Sequence, residues 1–144
     1  KSYRENNAPY FVCRQSEQGH RIEWETRAVP RDFTGEHATF VFAGALGWKT
    51  EPQTEGFTLH VNGEPAVDFD ISDTDQTWQN DKTCVTLTFR PKRLFPPDTT
   101  GLFYVDVPKA KLQPGKPCVF AVTSKSGGSQ RWFGLNPYKT VPEK

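Results

Sequence analysis

Phe57-Thr58-Leu59-His60-Val61-Asn62-Gly63-Glu64-Pro65-Ala66-Val67-Asp68-Phe69-Asp70-Ile71 decides the fold. Phe57, Leu59 and Val61 alternate with Thr58 and His60, the period of two that marks a strand with one face buried. Asn62 and Gly63 follow directly, and both tolerate positive φ, so the pair predicts a tight hairpin turn. The chain then returns as a second strand over Ala66–Ile71. Pro65 lies at its margin, where a missing N–H removes no ladder hydrogen bond. Two antiparallel neighbours are thus readable in a single line of sequence.

Outward from this hairpin, strand-like runs recur at Tyr10–Arg14, Arg21–Ala28, Ala38–Leu46, Cys84–Arg90, Leu102–Val107, Cys118–Thr123 and Arg131–Leu135. No window shows the i, i+3, i+4, i+7 recurrence of an amphipathic helix. Val107–Leu112 alone invites a helical turn, closed by Pro114-Gly115. Pro30, Pro52, Pro91, Pro96, Pro97, Pro108 and Pro117 also fall at strand margins or between strands. Many short strands separated by turn residues predict an all-β, two-sheet antiparallel sandwich. With 144 residues there is room for one core, so residues 1–144 read as a single domain. The polar ends, 1–7 and 140–144, read as loose or as joints to neighbouring domains.

Composition narrows the function classes. A net charge of +1 provides no field to steer nucleic acid or an anionic membrane. The longest apolar run, near Phe40–Leu46, is strand-sized and too short to span a bilayer. The chain opens at Lys1 with no charged and then apolar leader, and it reads as a module cut from a longer protein. Cys13, Cys84 and Cys118 allow at most one intrachain bridge. All three lie in apolar or alternating stretches, where they are expected as buried free thiols.

Three segments resemble the galactose-binding-like jelly-roll modules that accompany secreted carbohydrate-active enzymes. Trp24-Glu25-Thr26-Arg27-Ala28-Val29-Pro30, followed by Phe40-Val41-Phe42-Ala43-Gly44, resembles their strand, Val-Pro corner and long core strand. Phe57–Pro65 resembles their hairpin with Val-Asn-Gly at its tip. Leu112-Gln113-Pro114-Gly115-Lys116-Pro117-Cys118-Val119 resembles the Pro-Gly turn that leads into a late strand, with Pro117 standing where the pattern has Asn. The closing Arg131-Trp132-Phe133-Gly134-Leu135 resembles the end of modules appended to bacterial sialidase-like or sulfatase-like proteins. Spanning residues 24–123, the resemblance implies a jelly-roll sandwich that binds oligo- or polysaccharide without catalysis. It also implies an accessory role beside other domains of a secreted or periplasmic bacterial protein.

The residues themselves offer little catalytic chemistry. His20, His37 and His60 lie apart from any nucleophile elbow, and no glycine-rich loop opens a helix. The acidic stretch carrying Asp68, Asp70, Asp73 and Asp75 could supply oxygen ligands to a structural calcium ion, or a carboxylate pair for glycoside hydrolysis. A solvated acidic edge explains it equally. Arg90, Lys92 and Arg93 form a basic loop around Pro91 that suits a carboxylate or sulfate group, or merely solvent.

Tryptophans carry the ligand expectation. Trp24 alternates with Ile22 and reads as core, and Trp132 sits in a strand. Trp48 and Trp78 fall in polar stretches, 47–56 and 72–83, that read as loops emerging at one end of the sandwich. An exposed indole stacks on the apolar face of a sugar ring while amides and charges bind its hydroxyls. The expected site is therefore Trp48 and Trp78 with Lys49, Gln76, Asn80 and Asp81, joined by Glu51, Gln53 and Gln79 from the same loops. The competing reading folds these indoles back as plugs of the core.

Overall fold

The computed structural model describes residues 12–14, 21–45, 56–70, 74–92, 100–125 and 132–134. Strands β1 (Val12–Arg14), β2 (Arg21–Ala28), β3 (His37–Ala45), β4 (Phe57–Val61) and β5 (Glu64–Phe69) are followed by β6 (Gln76–Asn80) and β7 (Val85–Lys92). After β8 (Thr100–Pro108), a 3-10 turn over Lys109–Lys111 leads to β9 (Pro117–Ser124) and β10 (Trp132–Gly134). They form a six-stranded sheet, β1-β10-β3-β8-β7-β6, and a four-stranded sheet, β2-β9-β4-β5. Neighbouring strands pair antiparallel in both. β2 lies beside β9 and β3 beside β8, so the chain crosses between the layers in the nested order of a jelly roll.

Aromatic rings fill the space between the layers. Phe40, Phe57, Phe89, Phe103 and Phe120 are fully buried. Trp24 of β2 meets Phe42 of β3 edge-on at 5.1 Å, and Phe40 meets Phe120 of β9 at 5.0 Å. At the other side Phe69 of β5 meets Phe103 of β8 at 5.2 Å. Phe89 needs a gap in β8, because a Cβ on Gly101 would lie 2.3 Å from its ring. Gly101 is thus the slot that lets this ring lie flat on the neighbouring strand.

The quoted hairpin forms as read. Asn62 and Gly63 have φ of 49° and 88° and join β4 to β5. Asn62 does more than turn the chain. Its Nδ2 donates to the Lys111 carbonyl at 2.8 Å and its Oδ1 accepts from Val119 N–H at 2.9 Å. The side chain therefore bridges the 3-10 turn and β9. Two further segments read separately in the sequence also meet: Val29 N–H donates to Lys116 O at 2.9 Å, and Gly115 N–H to Val29 O at 2.6 Å. Where the register shifts between Glu25 and Ala28, buried Thr26 accepts from Cys118 N–H at 3.0 Å and patches the ladder.

Two expectations are corrected. Residues 76–80, read as loop, form β6 and pair with β7 from Gln76↔Phe89 to Asn80↔Val85. Cys84, read as a buried thiol, is exposed. It occupies the turn between β6 and β7 at φ 58°, with its N–H bonded to Asn80 O at 2.8 Å. Cys118 is buried, as expected, and burial pushes its thiol up to about 12. Cys13 is described only through its backbone pairing with Phe133.

Candidate functional site

Each sheet presents an outer face, and the two differ in chemistry. On the four-stranded sheet several outward residues are polar and engage one another, around Val119 and Ala121 of β9. Lys125 Nζ contacts Asp68 Oδ2 at 2.6 Å, Thr58 Oγ1 donates to Asp68 Oδ1 at 2.8 Å, and Arg21 contacts Glu23 at 3.1 Å. His60 Nε2 lies 3.0 Å from Thr123 Oγ1. Burial and the nearby Arg21 charge hold the His60 pKa below its ordinary value, against the opposing pull of Asp68. For Asp68, burial would raise the pKa, but hydrogen bonds from Lys125 and Thr58, with the Lys125 and His60 charges, bring it down overall.

The outer face of the six-stranded sheet is built differently. Phe103, Val105 and Val107 of β8 point into the core, so Leu102, Tyr104 and Asp106 point out and are only half-buried. The same alternation turns Thr39 and Val41 of β3, Thr86, Thr88 and Arg90 of β7, and Thr77 and Gln79 of β6 outward. Register lines them up across the sheet. Thr77, Thr88, Tyr104 and Val41 form one row; Gln79, Thr86, Asp106 and Thr39 form the next; Arg90, Leu102 and Ala43 lie on the other side. Thr77 and Thr88 hydroxyls are 3.4 Å apart, and Thr39 donates to Asp106. Tyr104 is the aromatic centre of a pleated surface whose apolar members, Val41 and Leu102, are bordered by hydroxyls. Arg90, bordering that surface, also faces Asp75 at 3.9 Å.

The described members of the expected loop site lie in a strand and the turn that follows it. Trp78 lies in β6 on the core side, half-buried, stacked on Phe103 at 6.5 Å and edge-on to Phe69 at 6.0 Å. It closes the margin of the sandwich rather than standing free in a loop, because strand alternation turns it inward with Gln76 and Asn80. Gln76 is exposed, and its Nε2 reaches Thr74 Oγ1 at 3.4 Å. Asn80 is committed to the turn: its Oδ1 accepts from Lys82 N–H at 2.9 Å and Thr83 N–H at 3.3 Å. Asp81 is exposed in that turn. Trp48 and Lys49 lie outside the described residues, as do Glu51 and Gln53.

The acidic stretch is likewise dispersed. Asp68 faces Lys125 on the four-stranded sheet, whereas Asp75 precedes β6 and faces Arg90. Asp70 is half-buried after β5, and Asp73 lies outside the described residues. Among the described residues no group of three or more His, Cys, Asp or Glu side chains is placed to hold a metal ion. No helix among them is long and apolar enough to cross a membrane. Tyr104 was missed because a Tyr inside an apolar strand reads as core. Its outward direction follows only when Phe103 and Val105 are taken as the buried set. No protein-family model, curated protein or solved structure matches the chain.

Proposed function

We propose that this domain is a non-catalytic glycan-binding module whose platform is the outer face of the six-stranded sheet, centred on Tyr104. The observation that carries the reading is the row Thr77-Thr88-Tyr104-Val41, with Leu102 beside it. An aromatic ring with flanking methyl groups suits the apolar face of a pyranose, and surrounding threonine hydroxyls, Asp106 and Arg90 suit its hydroxyls. On the four-stranded sheet Lys125, Asp68 and Thr58, and Arg21 and Glu23, engage one another, and none of the outward residues in the pairs described there is aromatic apart from the imidazole of His60. Backing by the Phe89 and Phe103 rings holds the platform rigid, which lowers the ordering cost of binding.

A shallow, flat site of this kind binds one glycan weakly and gains retention when linked to other binding units. That fits an accessory role beside catalytic domains of a secreted bacterial protein acting on polysaccharide. The test is retardation of the purified domain in native gels cast with a panel of soluble polysaccharides, comparing wild type with Tyr104→Ala and Thr88→Ala. Retardation by at least one polysaccharide, lost in Tyr104→Ala and reduced in Thr88→Ala with folding intact, is expected. Retardation unchanged by both substitutions would move the site elsewhere. No retardation by any polysaccharide would leave the same face as a docking surface for a neighbouring protein domain.

A further inference from the structure

The edges of the two sheets are not equally protected. In β2 the edge carries Arg21, Glu23, Glu25 and Arg27 and is broken by a register shift between Glu25 and Ala28. In β5 the edge carries Pro65 and Asp68, its register slips opposite Leu59/His60, and Thr83 Oγ1 donates to its Ala66 carbonyl at 2.7 Å. Charges, proline, bulges and capping contacts are the devices that stop a strand edge from recruiting another chain. β6, the last strand of the six-stranded sheet, has no charge, proline or register shift within it, although Asp75 and Asp81 flank it. Gln76-Thr77-Trp78-Gln79-Asn80 contains no charge and no proline, and its pairing with β7 is unbroken through Gln76↔Phe89, Thr77↔Thr88, Trp78↔Leu87, Gln79↔Thr86 and Asn80↔Val85. Among the described residues no strand lies beyond it, and Gln76, Thr77 and Gln79 are exposed.

We infer that two copies of this chain join through β6, antiparallel about a two-fold axis at Trp78, to make one continuous sheet. The sequence of the strand is complementary to itself in that register. Gln76 faces Asn80 of the second copy, Thr77 faces Gln79, and Trp78 faces Trp78, so both polar rows match hydrogen-bonding groups and no like charges oppose within the strand. One step beyond it the exposed Asp75 and Asp81 come opposite each other at both ends, a repulsion that keeps the pairing weak. The exposed part of each indole gains a cross-strand aromatic neighbour, a pairing that stabilises adjacent strands. Isologous contact of this kind closes on itself and ends at a dimer. The net charge of +1 leaves little repulsion between copies. An edge of five residues buries far less area than a standard interface, so the dimer dissociates on dilution.

A two-fold axis perpendicular to the sheet keeps both outer faces on the same side. Two Tyr104 platforms would then lie on one surface; this consequence, unlike the pairing itself, rests on the glycan-binding reading. The pairing is tested without any glycan, by sedimentation of the domain over a concentration series. Thr77→Lys with Gln79→Lys sets like charges opposite one another twice across the axis, whereas Thr77→Glu with Gln79→Lys sets opposite charges there. Wild type should shift from monomer to dimer with rising concentration. The double-lysine variant should dimerise roughly ten-fold more weakly and the Glu/Lys variant at least as tightly as wild type. Both residues are exposed, and an unchanged melting temperature verifies folding. A wild type that stays monomeric at every concentration overturns the inference, as does a dimer equally strong in both variants.

Discussion

Replacing Asn62 separates the two roles the structure gives it, as a turn residue and as a bracket between β9 and the 3-10 turn. Its φ of 49° is a left-handed conformation that costs an ordinary side chain about 1 kcal/mol more than Asn or Gly. Its amide makes two hydrogen bonds, to Lys111 O at 2.8 Å and from Val119 N–H at 2.9 Å. Each contributes about 1 kcal/mol net, and more where a buried partner is stranded. Asn62→Gly keeps the turn and loses the bracket, for an expected cost of about 2 kcal/mol. Asn62→Ala loses both, for about 3 kcal/mol. Urea denaturation of the three proteins at one pH reads these values as midpoint shifts at constant slope. Were Asn62→Gly as stable as wild type, the amide would contribute nothing and the asparagine would serve the turn alone.

Three further predictions concern the cysteines and His60. Exposed Cys84 should react with a maleimide within minutes while buried Cys118, its thiol pushed up to about 12, reacts only on unfolding; equal labelling of both in the native protein would contradict the burial. Because Cys84 also holds a left-handed conformation, Cys84→Gly should raise stability by about 1 kcal/mol, and a loss on calorimetry would refute the strain assigned there. The pKa of His60 is lowered on folding, so the unfolded chain binds its proton more readily. Stability is complete above the unfolded value near 6.5 and declines as pH falls through the folded pKa. Melting temperature should therefore fall on mild acidification in wild type and less so in His60→Gln; identical slopes would place the sensitivity elsewhere. Asp68, also lowered, adds its own loss further down, below the ordinary carboxylate value of 3.8.

Most of the architecture was legible because buried strands advertise themselves. Arg21–Ala28 and Phe57–Val61 were read with their observed ends, and the Asn62-Gly63 hairpin followed from turn chemistry. β6 was not legible. An edge strand with solvent on one side needs few apolar residues, and Gln76-Thr77-Trp78-Gln79-Asn80 offers only one. The same omission misplaced Trp78, since an indole between glutamines looks exposed until strand pairing turns it onto Phe69 and Phe103. Cys84 was misread because it lies in the turn before β7, at φ 58°, rather than in the strand itself. The outer face of the six-stranded sheet depends on register between β3, β7 and β8, distant in sequence, and no local pattern could align Val41, Thr88 and Tyr104. Asn62 combined both cases: its turn was visible, but its partners Lys111 and Val119 were not.

The measurement that bears most directly on Tyr104 as a glycan platform is amide chemical-shift mapping of the labelled domain during titration with an oligosaccharide of whichever polysaccharide retards it. The largest changes should gather on Val41, Thr88, Leu102 and Tyr104 and saturate together. Changes gathered instead on Gln76, Asp81 and the turn after β6, or on the four-stranded sheet around His60, would contradict the account.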